Sequence, residues 1–193
     1  LLYLFDEPTA HLDANLRVTV QGEIAKIRRD SGAGAIYATH DATEALAIAD
    51  RVALMRDGRI VQAGTPVQVY EEPIDFWAAL LTGRACVLSA EVSLAGAGPV
   101  ANLGGMAIEV GDLGGGVTGG PVDLVVRPEW VHQGGPISGP VSGVRFRGAH
   151  TEYVIETHVG QLVASLSGPP RFSIGELTDW TVGRGWPVEP SVG

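Results

Sequence analysis

Leu1-Leu2-Tyr3-Leu4-Phe5-Asp6-Glu7-Pro8 opens the chain. Five apolar residues followed at once by two carboxylates read as a strand buried on both faces, as parallel strands are, with its acids emerging at the sheet's carboxyl edge. That edge is where open α/β sheets bind ligands. Neighbouring residues of a strand point to opposite faces. An acid pair there therefore suits a magnesium-bound phosphate site, one carboxylate holding the metal's water shell while the other faces a reacting water.

Outward from that strand, Thr9-Ala10-His11-Leu12-Asp13 is a short polar passage before a helix that Asp13 or Asn15 can cap. The helix carries an apolar stripe at Leu16, Val20, Ile24 and Ile27, has Lys26, Arg28 and Arg29 in its last turn, and ends at Ser31-Gly32. Ala35-Ile36-Tyr37-Ala38-Thr39 reads as a second short buried strand, ending on His40-Asp41. A helix through Thr43 to Ala49 follows, then a hairpin built on Asp57-Gly58. Thr65 and Pro66 open another helix as cap and first helical residue. Phe76 to Leu81 is apolar enough for a last helical turn or two.

From Val87 the pattern changes to short alternating strands broken by glycine: 87–92, 106–110, 122–127, 141–147, 151–159 and 161–166. Closely spaced strands of this kind predict a small barrel or sandwich of the oligonucleotide/oligosaccharide-binding (OB) type. Residues 1–84 hold 6 glycines and residues 85–193 hold 21, which places a domain boundary near Gly83-Arg84. The glycine-rich run Leu113 to Gly120 reads as a surface loop. Trp77, Trp130, Trp180 and Trp186 read as core or strand anchors, and His132, His150 and His158 stand at no metal-ligand spacing.

Charge is spread evenly, 12 acidic against 8 basic residues before the boundary and 10 against 5 after it. Without a basic patch there is no electrostatic case for nucleic acid. The single cysteine, Cys86, excludes an internal disulfide and fits a reducing compartment. No apolar run approaches the roughly 18 residues that span a bilayer.

Asp6-Glu7 at one strand end, Asp13 seven residues after Asp6, and His40 at the next strand end bring three chemically active groups to one sheet edge. This pattern resembles the nucleotide-binding subunits of ATP-binding-cassette (ABC) transporters. Leu1 to Pro8 looks like the Walker B strand, Thr9 to Asp13 like the D-loop, and Thr39-His40-Asp41 like the switch-histidine segment. Glu44-Ala45, Ala49-Asp50-Arg51, Asp57-Gly58 and Gly64-Thr65-Pro66 continue the match. Arg127-Pro128-Glu129, Phe146-Arg147-Gly148 and Thr151-Glu152-Tyr153 look like the accessory (TOBE) domain of the importer branch.

The resemblance implies an α/β fold: the carboxyl-terminal part of a P-loop NTPase (RecA-like) sheet over residues 1–84, followed by a small all-β, OB-like accessory domain over residues 85–193. It implies that Asp6 holds Mg2+, usually through water, that Glu7 is the general base, that His40 contacts the γ-phosphate of ATP, and that Asp13 couples the two sites of a subunit dimer. The implied partners are a second ATPase subunit, transmembrane permease subunits and, indirectly, an external solute-binding protein, at the cytoplasmic face of the membrane. The solute would be iron(III), a polyamine, thiamine or similar.

The sequence departs from the family pattern by absence. It contains no Gly-x-x-x-x-Gly-Lys-Ser/Thr and no Leu-Ser-Gly-Gly-Gln, and its only lysine is Lys26. The expectation is a carboxyl-terminal part of a longer subunit, inactive alone. The alternative from a different class is a non-catalytic binding or regulatory module with a vestigial ATPase half. His11 reads as a solvated loop residue, and Arg127-Pro128-Glu129 as a structural turn.

Overall fold

In a computed structural model, which describes residues 1–95, 98–110 and 119–188, the chain forms two compact units. The first comprises 1–70 with 81–83, and the second 71–80 with 84–193. The second therefore takes in Glu71–Leu80, which the glycine count grouped with the first half.

The first unit begins with strand β1 (Leu2–Asp6), helix α1 (Ala14–Ser31) and strand β2 (Gly34–Ala38). The two strands pair in parallel, from Leu2 opposite Gly34 to Asp6 opposite Ala38. Parallel neighbours need a crossover, and α1 supplies it. Asp13 caps this helix through its side chain, and Gly32 closes it at φ 60°, a left-handed conformation that costs glycine least. Helix α2 (Ala42–Ile48) follows. Strands β3 (Val52–Arg56) and β4 (Arg59–Gly64) form the expected hairpin, with Asp57 and Gly58 both at positive φ as a primed turn requires. At the start of helix α3 (Pro66–Glu71), the Thr65 hydroxyl accepts the Gln68 N–H while the Gln68 side chain accepts the Thr65 N–H, a capping box.

One expectation fails here. The opening strand is not buried: Leu2, Leu4 and Ile36 are 57%, 72% and 57% exposed. Among the described residues this sheet has two strands, each paired along one side. Tyr3, Phe5 and Tyr37 cover one another by ring contact instead. The stripe on α1 is likewise open at Leu16 and Ile27.

The second unit contains most of helix α4 (Phe76–Thr82) and strands β5 (Cys86–Ala95), β6 (Gly98–Leu103), β7 (Met106–Glu109), β8 (Gly120–Val126), β9 (Val131–Phe146), β10 (His150–Thr157), β11 (Gly160–Ser167), β12 (Leu177–Val182) and β13 (Trp186–Val188). One sheet runs β13-β8-β5-β6-β7 and the other β11-β10-β9-β12. Inward side chains of both, among them Leu88, Leu124, Ile137, Tyr153, Ile155, Leu162 and Trp180, form a single core. Ala79 of α4 packs in a smaller cluster with Val125 and Val188. Buried Arg127 donates from one guanidinium nitrogen to the carbonyls of Ala79 (2.8 Å) and Arg84 (3.2 Å), satisfying a backbone group that the last turn of α4 leaves open. Glu152, nearly buried, pairs with Arg84 and with Arg147.

Four features of this unit were not read from the sequence: β6, the first half of β9, β12 and β13. The reason is clearest in β9. Residues 131–140 hold Gly134, Gly135, Pro136, Gly139 and Pro140 and look like a loop, yet they pair with β12, while 141–146 pair with β10. Each half is an edge on one side, so proline costs no ladder bond there. At Gly139 a Cβ would run into the carbonyl of Glu156, so the crossing strand requires glycine. Of the glycine-rich run, 113–118 lie outside the described residues, and Gly120 opens β8.

Candidate active site

The carboxyl ends of β1 and β2 carry the site. The Glu7 N–H still donates to the Ala38 carbonyl at 2.9 Å, so Glu7 remains in the ladder, but its φ of 43° turns the chain out of the strand. A non-glycine residue in this region carries strain of order 1 kcal/mol or more, and such strain collects at functional sites. Residues 9–12 then form a tight turn, Ala10 and Leu12 donating to the carbonyls of Glu7 and Thr9, with His11 at φ 68°.

Of the residues the sequence singled out, the fold brings two together. His40 Nδ1 lies 3.0 Å from Glu7 Oε1, although the two are 33 positions apart. Both side chains are open to solvent, 75% exposed for His40 and 48% for Glu7. They line a cleft of about 150 Å³ with Thr9, Ala10, His11, Arg17, Thr39, Asp41 and Glu44. Asp6 and Asp13 are not among its walls. Asp6 is the exposed last residue of β1, and strand alternation sends neighbours to opposite faces. The Asp13 carboxylate accepts the N–H groups of Asn15 (3.0 Å) and Leu16 (2.9 Å) at the start of α1. His11 is exposed on the cleft rim.

Behind the exposed pair stands a buried polar group that sequence reading missed as a functional feature. Glu44, 4% exposed, sits in the first turn of α2. Its Oε1 accepts from the Thr9 hydroxyl, from Tyr37 OH at 2.6 Å and from Gln21 Nε2 at 2.9 Å. Burial alone would raise the Glu44 carboxyl, but hydrogen bonds from Thr9, Tyr37, Thr39 and Gln21 outweigh it and bring the pKa down to about 2. Tyr37 is pushed up to about 12, first by burial and then by its bond to Glu44. Asp41 caps α2 by accepting the Glu44 N–H at 3.2 Å and pairs with Arg17 of α1 at 2.8 Å. In the sequence Glu44 stood out only as part of the Glu44-Ala45 resemblance, and its place three residues after Asp41 reads equally well as a helix-capping acid.

A carboxylate beside an imidazole at a sheet edge can take a proton from water and offer a polarisable hydrogen-bonding group to an anionic oxygen.

Comparison with known proteins bears on this site and on the second unit. Residues 124–180 match the TOBE domain model. The Fe(3+) ions import ATP-binding protein FbpC of Brucella melitensis biotype 1 is 38% identical over 164 residues, covering 82% of this chain and 46% of that protein. FbpC 1 of Rhizobium meliloti is 36% identical over 163 residues, with the same coverage of 82% and 46%. The spermidine/putrescine import ATP-binding protein PotA of Spiroplasma citri is 34% identical over 157 residues, 79% of this chain and 44% of PotA. The chain thus spans about half the length of these relatives.

Proposed function

We propose, for a chain that belongs to the family of ABC importer ATP-binding subunits with a TOBE domain, that it supplies the hydrolytic edge of an ATPase which drives solute import through a membrane permease. The observation that carries the reading is the 3.0 Å contact between Glu7 and His40 at adjoining strand ends. In a longer subunit containing this chain, Glu7 accepts a proton from the attacking water and orients it. His40, held against Glu7, reaches the γ-phosphate and stabilises charge that builds on its oxygens. Phosphoryl transfer depends chiefly on such positioning and electrostatics, so neither group is dispensable.

Asp6 is the residue that would hold Mg2+, and its exposed carboxylate beside Glu7 fits a hard, water-bearing cation. A bound magnesium ion supplies charge neutralisation at the phosphate oxygens. Asp13, at the head of α1 and just beyond the turn, is placed to report the state of this edge to a second subunit. The loop that cradles the phosphates has no counterpart in this sequence and comes from the remainder of the subunit. The subunit works as a homodimer, peripherally at the cytoplasmic face of the membrane through its permease, and is served indirectly by an external solute-binding protein. Relatives named for Fe(3+) and for spermidine/putrescine import support iron(III) or a polyamine as the solute.

The test is ATP hydrolysis by the longer subunit with its permease. Turnover is expected to need Mg2+, to vanish with a chelator, and to fall at least about a hundredfold in His40→Ala. Metal-independent turnover, or a fully active His40→Ala, contradicts the reading.

A further inference from the structure

We infer that Glu44 is the positioning residue of the Glu7 and His40 pair: its buried carboxylate fastens the turn that follows Glu7 and the strand β2 that leads into His40 to one point, and so fixes where the two side chains meet. The inference rests on the hydrolytic reading above. The facing side chains are both largely exposed and have little packing of their own to hold them. Their geometry has to be set from behind.

Glu44 is built for that task. Thr9, whose hydroxyl it accepts, lies two residues beyond Glu7. Asp41, which accepts the Glu44 N–H and donates its own N–H to the Thr39 hydroxyl, immediately follows His40. Tyr37 ties it to β2 and Gln21 ties it to α1. Hydroxyl, phenol and amide donors therefore reach one acceptor from the turn after β1, the crossover helix and strand β2. An ionised carboxylate has no proton to give, so every neighbour must be a donor, and here each is. Burying such a charge is costly unless it is fully hydrogen-bonded, and a satisfied network of this kind rigidifies what it joins. A support that served only the fold would need no link to both catalytic segments. Slack of even 1 Å between reacting groups costs about a hundredfold in rate.

The experiment compares the longer subunit with its Glu44→Gln, Thr9→Val and doubly substituted forms. It reads kcat, KM for Mg-ATP and the thermal midpoint, and determines the crystal structure of the Glu44→Gln protein. An amide in place of the carboxylate turns an N–H toward donors, so kcat is expected to fall at least about tenfold while KM stays within about threefold. Thr9→Val, a milder change that keeps the protein foldable, is expected to lower kcat in the same sense, and the double form to lose no more than Glu44→Gln alone. In the crystal the Glu7 to His40 separation is expected to open beyond hydrogen-bonding range. An unchanged separation overturns the inference. So does a kcat within about twofold of wild type, or a lowered midpoint with kcat per folded molecule retained. A wild-type subunit without turnover would instead refute the hydrolytic reading, leaving the crystal separation to decide the role of Glu44.

Discussion

Glu44 is a buried carboxylate set behind the exposed Glu7 and His40 pair. Because its carboxyl is held at about 2 against an ordinary value of 4.5, it adds stability that is fully present above pH 4.5 and is lost as pH falls toward 2. That contribution is of order 3 kcal/mol at neutral pH. Tyr37, raised from 10.0 to about 12, acts oppositely: its contribution is intact below pH 10 and drains away as pH rises toward 12. Chemical denaturation of the chain at a series of pH values is expected to show stability falling between pH 4.5 and 2, with Glu44→Gln flattening that limb. An acid limb unchanged by the substitution would refute the assignment. Glu7 and His40 were legible in the sequence because each ends a β-prone run. Glu44 was not, since an acid in a first helical turn reads as a helix-dipole or capping residue and nothing local announces its burial. Tyr37 and Gln21, its donors, carry no signal at all until the crossover folds.

Among the elements, those with local grammar were readable and those defined by partners were not. The crossover helix α1, the Asp57-Gly58 hairpin and the Thr65-Pro66 helix start are written in caps and turns, and they form where the spacing puts them. The exposure of β1 depends on what lies beside it, which an apolar run cannot disclose. The first half of β9 looks like a loop because its prolines and glycines are tolerated only where the strand is an edge. Arg127 has an element-scale role that its charge disguised. It reaches across from the end of β8 to hold the last turn of α4. Arg127→Ala removes a donor to the Ala79 and Arg84 carbonyls together with a large buried side chain, and is expected to cost roughly 2–4 kcal/mol. Urea unfolding followed by tryptophan fluorescence measures this, since Trp180 lies fully buried in the core of the same unit. A midpoint equal to wild type would show that the guanidinium does not hold the helix.

For the whole molecule, the contrast between the units follows from how each closes. The all-β unit buries the inner faces of two sheets against each other in one core. The α/β unit has, among the described residues, a two-stranded parallel sheet with exposed apolar side chains. Beneath the strand ends that carry Glu7 and His40 it buries two polar residues, Thr9 and Glu44. The central claim is that Glu7 is the base of an ATPase, and Glu7→Gln in the longer subunit tests it most directly, because the amide keeps the shape and removes the basicity. The account predicts that turnover falls by at least about a hundredfold while ATP is still bound and a closed, ATP-loaded dimer accumulates. Turnover at the wild-type rate in that variant would contradict it.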